Sequence, residues 1–187
     1  MRNSKISFFL IIITALLLWL SSGMAEDKKE VKMPSLEIKS NAFKNGETIP
    51  VKYTALREDI SPQLSWSKPP AGTKELVLIM DDPDARGETW AHWVIYGIPP
   101  DSTGLPENIP KKNLDPKIGK QAKNSWGENS YGGPSPPRGG PHRYYFRLYA
   151  LDVTLSLKSD ARRENVLKAM DGHIIAKGEL MGKFERI

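Results

Sequence analysis

Apolar and polar residues alternate along this chain in short blocks. From Leu36 onward, apolar stretches of a few residues are separated by Gly, Pro, Asn and Asp clusters at intervals of about ten residues, the pattern of antiparallel strands joined by turns in a sandwich or barrel. It predicts strands over Ile49–Tyr53, Gln63–Ser67, Glu75–Met80, Trp90–Ile98, Tyr144–Leu151 and Ile174–Phe184. Helical periodicity is scarce. One helix is expected over Asp160–Met170, with Asp160 as its cap, Val166, Leu167 and Met170 as its apolar stripe, and Asp171-Gly172 as its stop. The stretch from Pro99 to Trp126 is rich in Pro, Asn and Lys and has no period, so it reads as a long surface loop, the kind that in compact domains tends to be functional or mobile. The fold class is therefore mostly β, an antiparallel sandwich with one or a few short peripheral helices.

The beginning of the chain follows another pattern. Arg2 and Lys5 precede an apolar run from Ile6 to Leu20, broken only by Ser7 and Thr14, and small residues stand at Gly23 and Ala25. This is the three-part layout of an export signal, with cleavage expected after Ala25 and an exported, periplasmic or extracellular product. Kept in place, residues 6–20 would instead tether the chain to a membrane, although the run is shorter than the about 20 apolar residues of a usual span. A charged leader, residues 26–35, joins the signal to one domain over residues 36–187. Cysteine is absent, which excludes disulfides, thiolate catalysis and lipid modification of an N-terminal cysteine, and leaves stability to packing and hydrogen bonds. The formal net charge is +5, falling to +3 once Arg2 and Lys5 are set aside. The basic residues form no stripe, so nucleic acid is not an expected partner.

Three segments carry unusual residues. Asp81-Asp82-Pro83-Asp84-Ala85 follows the strand ending at Met80, and Pro83 must stop that strand and stiffen the turn holding Asp82 and Asp84. In Trp90-Ala91-His92-Trp93-Val94-Ile95-Tyr96, strict alternation puts Trp90, His92, Val94 and Tyr96 on one face, so a histidine interrupts an apolar surface. In the ten residues from Gly132 to Pro141, eight are Gly or Pro. Such a loop makes a rigid wall that backbone or ligand can approach closely. It leads into His142-Arg143-Tyr144, where alternation puts His142 and Tyr144 on one face and Arg143 on the other. Each segment alone is also consistent with ordinary turn chemistry or a buried neutral imidazole.

Taken together and in this order, with Asp59-Ile60-Ser61-Pro62-Gln63-Leu64-Ser65-Trp66 before them and Asp171-Gly172-His173-Ile174 after them, these motifs resemble the phosphatidylethanolamine-binding protein family, most closely its bacterial and archaeal Raf kinase inhibitor-like branch. The resemblance implies a β-sandwich with a small anion site at one end. Carried onto this sequence, the implied ligand-binding residues are Asp82, Asp84, Trp90, His92, Pro136, Pro137, His142 and Tyr144, with no catalytic residue and no metal. The implied ligand is a phosphate-type anion or a phospholipid head group. One departure stands out: the family turn often reads Asp-Pro-Asp-Ala-Pro, whereas Arg86 takes the last position here, leaving a looser or more basic rim.

The residue types suit that role. Asp82 or Asp84 can accept a hydrogen bond from one imidazole nitrogen, orienting the ring and favouring its charged form, while the other nitrogen donates to an anion. This reading predicts two imidazolium donors, the Tyr144 hydroxyl and an apolar side at Trp90. The function expected is that of an exported, non-enzymatic binding protein with no cofactor, regulatory or inhibitory in role. Two alternatives stand beside it: a secreted hydrolase or metal-dependent enzyme built on the same Asp and His residues, and an inhibitor that docks onto an envelope protein. The sequence has no HExxH, no Gly-x-Ser-x-Gly and no cysteine nucleophile to support an enzyme.

Overall fold

The computed structural model describes residues 33–112 and 114–187. The expected export signal and most of the expected charged leader lie outside the described residues. Within them the chain forms strands β1 (Ile38–Lys39), β2 (Leu64–Trp66), β3 (Glu75–Asp82), β4 (Trp90–Ile98), β5 (Gly104–Leu105), β6 (Lys120–Gln121), β7 (His142–Leu151) and β8 (Ile174–Phe184), with one α-helix, α1 (Arg163–Met170), between the last two. The strands pair antiparallel into a five-stranded sheet of order β6-β4-β3-β7-β8 and a three-stranded sheet of order β1-β2-β5.

The unbroken apolar run in β3 has a topological cause. This strand is central in the large sheet and covered on both faces, so all eight of its residues are buried. On one face Leu76, Leu78 and Met80 join Trp93, Ile95, Phe146 and Leu148, packing against Ile38, Leu64 and Leu105 of the small sheet. On the other, Val77 and Ile79 join Val94 and Tyr96 beneath Val166 and Met170 of α1. Burying each such aliphatic side chain stabilises the fold by roughly 1.5–3 kcal/mol. Among the described residues no helix is long and apolar enough to cross a membrane.

The sandwich agrees with the pattern in the sequence, and the differences are local. The strand expected over Ile49–Tyr53 does not form: after a bridge from Thr48 to Lys183, Pro50, with φ −58° and no N–H, ends the pairing, and Val51–Tyr53 curl into a 3-10 turn. The stretch from Pro99 to Trp126 is not plain loop, since β5 and β6 within it pair along β2 and β4. Two-residue strands are too short to show a period. β3 runs on through Asp82, two residues past the expected end, because Asp81 and Asp82 still pair with β4. The helix begins at Arg163, and its cap is Arg162, not Asp160. The Arg162 N–H donates to Asn165 Oδ1 at 2.9 Å. A guanidinium has no acceptor, so Arg162 cannot return that bond through its side chain.

Candidate functional site

The site grows from the ends of β3, β4 and β7. Because successive strand residues face opposite ways, Asp81 and Asp82 part company at the end of β3. Asp81 turns to the outer face, where Arg147 reaches it at 3.1 Å and Arg163 at 2.8 and 3.0 Å. Asp82 turns to the other face. Its Oδ1 accepts the Asp84 N–H at 2.8 Å, closing the turn around Pro83, and its Oδ2 accepts a hydrogen bond from His142 Nδ1 at 2.8 Å. A carboxylate can only accept, so Nδ1 of His142 carries its proton and Nε2 is left for another partner.

His92 reaches the same place through an irregularity. Met80 pairs with Trp93 and Asp81 with Ala91, so His92 is an extra residue in a β-bulge. The bulge resets the alternation, and the expected face of Trp90, His92, Val94 and Tyr96 is split. Val94 and Tyr96 belong to the helix side, whereas the His92 ring packs edge-on against Tyr144, 5.1 Å between centroids, and against Trp126 at 5.0 Å. His92 and Gly132 exchange two bonds: the Gly132 N–H donates to the His92 carbonyl at 3.0 Å, and His92 Nδ1 donates to the Gly132 carbonyl at 2.7 Å. Among the described residues no carboxylate bonds this ring. Burial lowers its pKa, so His92 is a neutral imidazole whose Nε2 is a lone-pair acceptor. The expectation of two imidazolium donors oriented by aspartates is therefore corrected, with one ring held by Asp82 and the other neutral and held by backbone.

The Gly- and Pro-rich wall is clamped at its root. A Cβ on Gly133 would lie 2.4 Å from the Tyr53 carbonyl and 2.7 Å from Thr54 Cα, so only glycine fits against the 3-10 turn. The Gly133 N–H donates to Asp59 Oδ1 at 2.6 Å, the Ala55 N–H to the Pro134 carbonyl at 3.1 Å, and the Tyr131 hydroxyl to the Tyr53 carbonyl at 2.6 Å. Asp59 does this from a left-handed backbone, φ 53°, which aspartate tolerates better than most residues.

These elements enclose a cavity of about 330 Å³ whose walls include Asp82, Trp90, His92, Pro136, Pro137, His142 and Tyr144. Size alone does not single it out, since a hollow beside Lys111, Lys120 and Asn129 measures about 440 Å³. Its chemistry does. Among the described residues, two buried side-chain polar atoms lack a hydrogen-bond partner, Trp90 Nε1 and Tyr144 Oη, and both residues line this cavity. Burial, followed by the charge of Asp82, raises the Tyr144 phenol well above its usual range, so it stays a neutral donor. Asp82 makes no hydrogen bond to that hydroxyl.

A sequence model of the phosphatidylethanolamine-binding proteins matches residues 39–185. The chain belongs to that family. The UPF0098 protein of Methanothermobacter thermautotrophicus is 48% identical over 151 residues, covering 81% of this chain and 99% of that protein. A crystal structure from Chlamydia trachomatis, described as a phosphatidylethanolamine-binding protein homologue, is 42% identical, with a TM-score of 0.74 over 82% of this chain and 99% of the other. That of YbcL from Escherichia coli, described as a new member of the mammalian family, is 30% identical, with a TM-score of 0.76 over 81% and 99%. These relatives belong to the bacterial and archaeal side of the family.

Seven of the eight residues that the family resemblance implied converge on the cavity, and Asp84 does not. Its carboxylate goes to Arg143, through Nε at 2.9 Å, Nη2 at 2.7 Å and the backbone N–H at 2.9 Å. The cavity also has Trp126, Arg86, Ala85 and Ser135 in its walls. Trp126 lies inside the stretch taken for loop, where nothing in the pattern linked it to Trp90. Among the described residues, no three His, Asp or Glu side chains stand together as a metal centre would need.

The Asp84–Arg143 clamp has a pH consequence. The guanidinium hydrogen bonds hold the Asp84 carboxyl down at about 2, below the about 3.9 of a free aspartate. A folded-state value below the unfolded one stabilises the fold above about pH 4, and that contribution is lost as pH falls towards 2. Asp84→Asn is therefore expected to cost about 1 kcal/mol near neutral pH, a figure reduced because Arg143 is half exposed. Its difference from wild type should vanish at about pH 2. Urea melts at the two pH values check this, and an equal deficit at both would show that the clamp is not electrostatic.

Proposed function

We propose that the protein binds a small phosphate-type anion, free or as a phosphorylated head group, in the cavity between β3, β4, β7 and the Gly- and Pro-rich wall, and that it does so as a binding protein and not a catalyst. One observation carries the reading. Buried donors in folded proteins are nearly always paired, each unpaired one costing about 1–3 kcal/mol, yet Trp90 Nε1 and Tyr144 Oη, on two residues of the same cavity wall, are unpaired. A ligand bearing several acceptor oxygens would satisfy both.

The rest of the cup fits such a ligand. His142, fixed through Nδ1 by Asp82, keeps Nε2 for a ligand, and the same hydrogen bond offsets part of the repulsion that Asp82 would exert on an anion. His92, neutral, offers an acceptor for a protonated phosphate oxygen or a head-group N–H. The carboxylates that a metal or a carboxylate base would use are already engaged, Asp82 by His142 and the Asp84 N–H, and Asp84 by Arg143.

Titrating inorganic phosphate into protein recovered from its own cell envelope tests the proposal, which includes export with a mature start at Glu26. Saturable binding is expected, with a stability gain of about 2.7 kcal/mol at a hundredfold excess over Kd. Absence of binding to cooperatively melting protein, or turnover of phosphate esters abolished by His142→Ala, would reject it. Retention of residues 1–25 in the recovered protein would reject the export part alone.

A further inference from the structure

Charge accounting around the cavity singles out Arg86. The interior carries no fixed positive charge: Tyr144 and Trp90 are neutral donors, His92 is neutral, and Asp82 accepts a hydrogen bond from His142. Of the charged groups in the turn between β3 and β4, Asp84 is taken up by the bidentate fork of Arg143. That leaves Arg86, exposed on the cavity wall and without a carboxylate partner among the described residues. Glu88, the other carboxylate of the turn, is exposed and makes no ion pair with it.

We propose that Arg86 sets the charge class of the ligand, selecting a terminal phosphomonoester over a phosphodiester. The inference rests on the anion-binding reading above. The interior donors can satisfy oxygens of either ester, but they supply no excess positive charge. A monoester can present a second negative charge on terminal oxygens that match the planar fork of a guanidinium. A diester presents one negative charge, and its second ester group occupies one of those positions.

Phosphoethanolamine and glycerophosphoethanolamine test this, since they share an amine and differ in the ester. Both are titrated calorimetrically at about pH 8, above the second phosphate pKa of about 6, into wild type, Arg86→Ala and Arg86→Lys. Wild type is expected to prefer the monoester. Arg86→Ala should weaken the monoester by about tenfold and the diester by less than about threefold, erasing the preference. Arg86→Lys, which keeps the charge without the fork, should restore part of it. Equal losses for both esters, or an unchanged preference in Arg86→Ala, would overturn the assignment to Arg86 while leaving anion binding intact. Failure of both esters to bind wild type would overturn the anion-binding reading and this inference with it.

Discussion

Asp81→Ala is expected to lower stability by about 3–5 kcal/mol, because removing one partner of a buried ion pair leaves uncompensated charge behind. Asp81 is 1% exposed and receives three guanidinium hydrogen bonds, one from Arg147 and two from Arg163. Arg147 keeps Glu179 at 2.9 Å, but Arg163 has no other carboxylate partner among the described residues. In a domain of this size each kcal/mol moves Tm by about 2–4 °C, so a fall of about 6–20 °C is expected. Asp82→Ala should cost less, since the vacated position borders a cavity that water can enter. A variant replacing Asp81, Arg147 and Arg163 together with apolar residues separates charge from packing and should recover most of the loss. Thermal and urea melts decide the matter. A deficit for Asp81→Ala below about 1 kcal/mol would mean that the network behaves like solvated surface pairs.

How far the sequence revealed this arrangement depended on whether a feature is local. The long strands are legible because they are apolar runs or two-residue alternations bounded by turn residues, and β4 and β8 occupy the residues expected, Trp90–Ile98 and Ile174–Phe184. Pro50 ended a strand that composition favoured, and β5 and β6 are too short to leave a periodic trace. The cup was legible as a set, since Asp82, His92, His142 and Tyr144 converge as the ordered motifs imply. The pairings within it were not. Alternation places Asp82 and His142 near one end of the sheet, but only three-dimensional register shows Asp84 facing Arg143, and only a bulge turns His92 towards Tyr144. Asp81 sat unremarked beside Asp82 because its partners, Arg147 and Arg163, are 66 and 82 residues away along the chain.

Tyr144→Phe is expected to do two things of opposite sign, and the pair separates a binding role from a structural one. Weakened anion binding, by about tenfold to hundredfold, follows if the hydroxyl donates to a charged ligand, because such bonds contribute about 1.5–3 kcal/mol. The free protein should be as stable as wild type or more stable, since the variant removes a buried hydroxyl with no partner and keeps the ring that packs against His92. A tyrosine hydroxyl that stabilised the fold through a hydrogen bond would behave the other way, losing stability on its removal. Trp90→Phe should follow the same pattern with a larger packing cost, because the indole also stands edge-on to Trp126, 5.4 Å between centroids. Phosphate titration and urea melts, the latter with and without saturating phosphate, measure both signs on one preparation. Without phosphate the Tyr144→Phe midpoint should equal or exceed that of wild type; with phosphate, wild type should gain more. If Tyr144→Phe binds phosphate as tightly as wild type, or loses more than about 1 kcal/mol in its absence, the unpaired hydroxyl is not a ligand donor and the cup must hold its anion by other groups.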